Sequence, residues 1–139
     1  MRIARAKTAR QEVAAALTWL QSHLFSSDPA LDVHTGHWWI AREDGAPVAF
    51  AALLPVPSWS KTGYMARCGV LPAFRGQGLQ RKLLAHREAH ARRLGMLRVI
   101  TTTYDNPASA NNLIRHGYFT YRPQQKWGAA NTIYWLKTL

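Results

Sequence analysis

Acidic residues are scarce in this chain. Seven Asp and Glu stand against 18 Lys and Arg over 139 residues, a formal net charge of +11. A surplus of that size implies attraction to polyanions, whether a phosphorylated cofactor, an acidic substrate or nucleic acid, without choosing among them. Cysteine is nearly absent: Cys68 stands alone, which excludes an internal disulfide and a thiolate metal cluster and fits a reducing compartment. A metal site would have to come from the six histidines, of which His86 and His90 are the one helical i, i+4 pair. With Arg87 between them and Lys82, Arg92 and Arg93 nearby, that stretch reads as a solvated basic face, and no metal is expected. Long apolar runs are missing too. The longest candidate, "PVAFAALLPVP", is interrupted by prolines and falls short of the roughly 20 residues that span a bilayer, and the amino terminus has no apolar signal core. The expectation is a soluble, cytoplasmic protein with no membrane partner, folded as one domain over residues 1–139.

Local patterns give the elements. "MRIARA" alternates like an edge strand. Thr8 to Gln11 matches a capping box, and Val13, Leu17, Leu20 and Leu24 recur as one buried helical face. "HWWIAR", a turn with Asp44 and Gly45, and "PVAFAALL" form a hairpin, and "PVPSWSKTG" is then an irregular loop. Tyr64 to Val70 is the next strand, in which Gly69 suggests a bulge or the close approach of another group. A helix follows with Leu79, Leu83, Leu84, Ala91 and Leu94 inward and Gly95 as its cap. Five β-branched residues, Val99 to Thr103, are the strongest strand signal. Asn106 and Pro107 open a last helix that Gly117 closes, before two final strands in "YFTYRP" and "NTIYWLKTL". Strand, helix, three strands, helix, strand, helix, two strands is an α/β order.

The chemistry concentrates at residues 70–80. A strand that ends in Arg75, Gly76, Gln77 and Gly78 and opens into a helix is an anion site. Glycines let phosphate oxygens reach backbone N–H groups, and the helix amino end adds orphan donors and partial positive charge. The spacing is neither a dinucleotide fingerprint nor a P-loop. Val70-Leu71-Pro72 followed by Arg75-Gly76-Gln77-Gly78-Leu79-Gln80 resembles the central motif of the GNAT superfamily of N-acetyltransferases, V-x-P and then [QR]-x-x-G-x-[GA]. Gln80 departs from it, standing where the family has a small residue; because the family holds phosphate there by backbone N–H groups, a side chain directed outward can be accommodated. Asn106, Ser109, Gly117 and Tyr118 fall in register with a second family pattern, N-x-x-[SA]-x(7)-G-[FY].

The resemblance implies a mixed, mostly antiparallel sheet splayed in the middle and flanked by helices, with acetyl-coenzyme A as donor. Its pantetheine arm would lie between residues 66–70 and 99–103, held by Leu71, Arg75, Gly76, Gln77, Gly78, Leu79, Gln80, Asn106 and Ser109. A backbone N–H near Val70 would polarise the acetyl carbonyl. Many relatives carry a tyrosine as acid seven residues after the motif asparagine; here that position is Leu113. Tyr104, Tyr118 and Tyr121 are the substitutes, and Tyr104, beside Asn106 at the mouth of the gap, is preferred. No acidic residue occurs between Asp44 and Glu88, so His34, His37, a water relay or an amine already neutral would replace the usual carboxylate base. Trp38, Trp39, Trp59 and Trp127 are core residues or the lining of an acceptor pocket. The function implied is acetyl transfer to a primary amine of a small molecule or peptide by direct transfer. The alternatives are a non-catalytic acyl-coenzyme A binding or interaction module and a toxin-type enzyme acting on aminoacyl-tRNA. Arg2, Arg5, Lys7 and Arg10, with Arg87, Arg92, Arg93 and Arg98, make nucleic acid a conceivable but disfavoured partner. Monomer and homodimer remain open.

Overall fold

The charged amino terminus forms β1 (Arg2–Arg5) at one edge of the sheet in the computed structural model, which describes residues 1–139. Exposed arginines there discourage pairing with another chain. Helix α1 (Gln11–Leu24) buries Leu17 and Leu20 with Val13 and Leu24 at their flanks, as the periodicity requires. Its start corrects the expected capping box. The backbone turns through Thr8, Arg10 N–H bonding Lys7 O at 3.0 Å, so Arg10 occupies the cap position and no side chain caps the helix.

Strands β2 (His37–Glu43) and β3 (Ala46–Pro55) form the hairpin, with Asp44 and Gly45 both at positive φ as a tight two-residue turn demands. Strand β4 (Thr62–Val70) starts two residues earlier than its sequence suggests, because Pro55 still pairs with Gly63 and the intervening loop is shorter. Helix α2 (Leu79–Arg93), β5 (Arg98–Thr103), α3 (Pro107–Arg115), β6 (Phe119–Thr120) and β7 (Ile133–Thr138) complete the chain. The seven strands lie in the order β1-β2-β3-β4-β5-β7-β6, antiparallel throughout except for β4 beside β5. α2 ends in a Schellman arrangement, Met96 N–H to Ala91 O and Gly95 N–H to Arg92 O, with Gly95 at φ +79°. Leu94, expected inward, is 47% exposed because the helix has already ended there.

Two cores sandwich the sheet. One packs α1 on Trp38, Ile40, Phe50 and Ala66; the other packs α2 and α3 on Trp39, Ala51, Met65 and Val99. Trp38 and Trp39, adjacent on β2, point to opposite faces, and both are buried core residues, not the lining of an acceptor pocket.

A cationic cluster fastens β1 and β2 to α2. Arg5 reaches His37 Nδ1 and His90 Nε2, each at 3.0 Å, and stacks on Trp39. His90 is thus engaged across the sheet while His86 is exposed, so the pair shares no site. Burial first, then the Arg5 charge, holds both His37 and His90 below the ordinary histidine range. The folded state therefore binds fewer protons than the unfolded chain below about pH 6.5, and the cluster's stabilisation is lost as pH falls through the depressed folded values. The melting temperature should fall more steeply between about pH 7 and about pH 5 than in a His37→Asn/His90→Asn double variant. Parallel pH profiles for the two proteins would contradict this.

Candidate active site

β4 and β5 are paired only at their beginnings, Thr62 to Tyr64 against Arg98 to Ile100, and then separate. Just past the last pair, β4 carries a bulge. Ala51 pairs with Cys68 and Ala52 with Ala66, so Arg67 is an extra residue that shifts the phase of the strand. Met65 and Cys68 consequently both pack toward α2, while Arg67 turns toward α1, donating to Gln21 Oε1 (2.8 Å) and Pro29 O (2.6 Å). The bulge is thus two residues before Gly69. Gly69 has a different reason for lacking a side chain: a Cβ there would come within 2.8–3.0 Å of Leu24, Phe25 and Phe50.

The diverging strands leave backbone groups that β-pairing would have used. Side chains take some of them: Thr101 Oγ1 donates to Met65 O (2.8 Å), and Arg75 Nε donates to Val70 O (3.0 Å). The amides of Cys68 and Val70 are left. Leu71 N–H bonds Val48 O at 2.9 Å, which makes Leu71 and Val48 a hydrogen-bonded pair. Alternation along an antiparallel ladder then turns the Val70 and Cys68 N–H groups away from β3 and into the gap. The gap is a cleft of about 560 Å³ that draws its walls from both faces of the sheet, Phe25 and Asp28 on the α1 side, Leu84, Arg87 and Leu113 on the other.

The glycine loop stands at the open end. After a 3₁₀ turn at Pro72–Phe74, which sequence patterns did not indicate, the chain passes through Gly76 (φ +79°) and Gly78 (φ +77°). Gly78 is the cap residue of α2 and offers no side chain to its orphan amides. A Cβ on Gly76 would meet nothing within 4 Å, and one on Gly78 only Arg81 Nη2 at 3.6 Å, so the space before the loop is open. Free helix-terminal amides, no acidic residue in the first turn, and exposed Arg75, Arg81 and Lys82 around them suit a phosphate. Leu79 offers only its backbone there, its side chain being core, and Leu71 is half-buried between the two cores. Gln77 is exposed. Gln80 is exposed and lines the cleft.

Across the gap, Asn106 caps α3, its Oδ1 accepting from Ser109 N–H at 3.1 Å, and both residues line the cleft. Tyr104, 60% exposed and one residue past the end of β5, lines it too. Tyr64 lines it as well, its hydroxyl 3.2 Å from Thr102 Oγ1, and the remaining tyrosines lie elsewhere. Tyr118 is buried behind α2 and donates to Glu88 Oε2 at 2.7 Å; burial and then the Glu88 charge push its hydroxyl far above its ordinary value, so it is no acid. Tyr121 sits in an aromatic group with Trp59 and Tyr134, its hydroxyl buried without a partner. Trp59 and Trp127 belong to that group, Trp59 also stacking on Arg98, and neither lines the cleft. His37 is tied to Arg5 on the β1 side, and His34 is on an exposed turn; neither reaches the cleft.

Sequence reasoning missed the Cys68 amide, Thr101, Asp28 and Arg87. For Arg87 a signal existed. It falls on the same stripe as Leu83, Leu84 and Ala91, and it is buried, not part of a solvated basic face.

The acetyltransferase (GNAT) family model matches residues 6–118. No curated protein matches the sequence significantly. Among solved structures, an aminoglycoside 6′-acetyltransferase type Ii is similar with a TM-score of 0.80 at 13% identity, over 99% of this chain and 97% of that one. An IAA acetyltransferase from Bacillus cereus superposes with a TM-score of 0.74 at 19% identity, over 99% of each chain. A ribosomal-protein-alanine N-acetyltransferase from Brucella melitensis does so with 0.73 at 19% identity, over 100% of each. Identities this low establish a shared fold and leave the acceptor undetermined.

Proposed function

Because this chain belongs to the acetyltransferase (GNAT) family and is an acyltransferase that draws on acyl-coenzyme A, we propose that it moves the acetyl group of acetyl-coenzyme A to a primary amine, with residues 1–139 acting as one catalytic unit. The observation that carries this reading is the bulge-opened gap with two unpaired β4 amides inside it and a glycine-lined anion site at its mouth. The pyrophosphate rests on the amides of residues 76–80 with Arg75 beside them. The pantetheine arm runs between β4 and β5, flanked by Leu71, Asn106 and Ser109. The acyl carbonyl accepts a hydrogen bond from the Val70 amide, with the Cys68 amide next to it, so that charge developing on oxygen meets fixed donors in a partly dry cleft. A cleft walled from both sheet faces admits donor and acceptor together, which supports direct transfer without a covalent enzyme intermediate.

Asp28 is the one carboxylate on the cleft wall and attracts an ammonium group, small-molecule or peptide-borne. The amine then attacks as its neutral form, its proton passing to water. Tyr104 hydrogen-bonds the departing thiolate from across the gap. A Tyr104→Phe protein should lose about 10²-fold in turnover if that proton is needed in the transition state. Full turnover at every pH would remove Tyr104 from the mechanism.

Free-thiol release measured against a panel of small amines and peptides tests the reading as a whole. Release accelerated by at least one amine, with an acetylated product, is expected. Binding of acetyl-coenzyme A without acceleration by any amine, peptide or aminoacyl nucleic acid would reduce the chain to an acyl-coenzyme A binding module. Four other cations, Arg5, Lys7, Arg10 and Arg42, surround a separate groove of about 260 Å³ with Glu12 as its one carboxylate, and weak, salt-sensitive RNA or DNA association is expected there. Mixed tRNA that forms no complex in a mobility shift at low salt would rule it out.

A further inference from the structure

The wall of the cleft holds a cation without a counter-ion. Arg87 is 3% exposed. Its Nε donates to Leu83 O (3.3 Å), and its Nη1 donates to both Ala52 O (3.2 Å) and Ala66 O (3.1 Å). Those two carbonyls belong to the β3–β4 pair that borders the bulge at Arg67. No carboxylate comes within ion-pair distance of Arg87, since its neighbour Glu88 turns to Tyr118 and Lys137. Nη2 donates to no protein group. The one side-chain polar atom buried without a partner is the Tyr121 hydroxyl, so Nη2 retains access, and Arg87 lines the cleft. An apolar residue would fill this position of the α2 stripe without the cost of desolvating a charge. An unpaired cation here is suited to a negative charge that arrives with the substrate.

Resting on acetyl-coenzyme A in the β4–β5 gap, we infer that Arg87 is a further catalytic residue: its free Nη2 faces the coenzyme A sulfur and stabilises the thiolate as it departs. The bulge sets the distance. The Cys68 amide that helps hold the acyl carbonyl is two residues from Ala66, whose carbonyl Arg87 grips, and the sulfur is bonded directly to the carbonyl carbon. In the step, the amine nitrogen forms the C–N bond, and the tetrahedral adduct collapses by breaking C–S. The electron pair goes to sulfur, and the amine's proton goes to solvent. The thiolate therefore forms beside a guanidinium. None of the other ionisable groups lining the gap brings a second cation to the sulfur. Arg67 is held toward α1 by Gln21 and Pro29, Asp28 is a carboxyl group on the α1 side, Tyr104 and Tyr64 offer hydroxyls that can add a hydrogen bond but no positive charge, and Cys68 is a thiol. The Cys68 thiol already feels the same field: burial pushes it up, and Arg87 pulls against that push.

The test titrates the thiol of bound coenzyme A, which needs no acceptor. Thiolate absorbance is followed against pH for coenzyme A bound to the protein, with the dethio-coenzyme A complex subtracted so that Cys68 cancels. In the wild type the bound thiol should ionise more readily than free coenzyme A. In Arg87→Met its ionisation constant should fall about tenfold or more, as expected for removing an opposite charge within a few ångströms, and Arg87→Lys should restore most of it. With an accepted amine, kcat of Arg87→Met should drop about 10²-fold while KM for the thioester changes little. Equal thiol titrations in wild type and Arg87→Met overturn the inference. Should Arg87→Met not fold, a wild-type bound thiol that ionises no more readily than free coenzyme A overturns it as well. Failure of the wild type to bind coenzyme A at all would instead overturn the acetyl-coenzyme A reading and this inference with it, a result separate from binding with an unshifted thiol.

Discussion

Gly78→Trp should abolish acetyl-coenzyme A binding in a protein that stays folded. Gly78 has φ +77° and is the cap of α2, so any other residue there bears the left-handed penalty of about 1–2 kcal/mol. Folding should survive that. The nearest atom to an added Cβ is Arg81 Nη2 at 3.6 Å, the end of a flexible exposed side chain, and no core group has to move. The indole would instead stand in front of the amides of residues 76–80, where the pyrophosphate is proposed to rest. A hydrogen bond to a charged group contributes about 1.5–3 kcal/mol, so losing two weakens binding by about a hundredfold or more. Calorimetric titration reads the affinity, and circular dichroism with thermal melting reads the fold. A folded Gly78→Trp protein with unchanged affinity would remove the phosphate from this loop.

Lys137→Met, at the one charged side chain of β7, should strongly destabilise the fold. Glu88 has 8% side-chain exposure and receives Lys137 Nζ at 2.8 Å and the Tyr118 hydroxyl at 2.7 Å, with Arg92 more distant at 4.0 Å. Deleting Lys137 strands a largely buried carboxylate, which costs about 3 kcal/mol, the lower end of the usual range because Lys137 is itself 21% exposed. A Glu88→Leu/Lys137→Met double variant should recover much of the loss, since it buries no unpaired charge. Urea denaturation of the three proteins measures this. A Lys137→Met protein within about 0.5 kcal/mol of the wild type would mean that the pair is effectively solvated. The network matters for the site because it clamps α2, which carries the glycine loop and Arg87, onto the half of the sheet that contains β5 and β7. Acetyl-coenzyme A affinity should weaken with stability in Lys137→Met and return in the double variant.

What the sequence determined by itself was local. The glycine loop between β4 and α2, the Asn106 cap with Pro107 behind it, the Asp44–Gly45 turn and the β-branched run of β5 each follow from the conformational limits of a few adjacent residues, and each stands where the sequence puts it. The order of elements and the place of the glycine loop just ahead of α2 were legible for the same reason. Where a residue's role depends on what a distant segment brings to it, the sequence was silent or misleading. Gly69 marked crowding by Leu24, Phe25 and Phe50, while the bulge fell at Arg67, whose side chain is drawn off by Gln21 and Pro29. Tyr118 stood behind Tyr104 as a substitute acid, and only Glu88, thirty positions away, removes it by holding its hydroxyl. Arg87 read as one more solvated cation in a basic helix, yet it is buried against two carbonyls of β3 and β4. Tertiary structure alone decided these, because burial, strand phase and the pairing of charges are properties of the contact between elements, and a one-residue bulge changes which contacts exist without changing any local pattern.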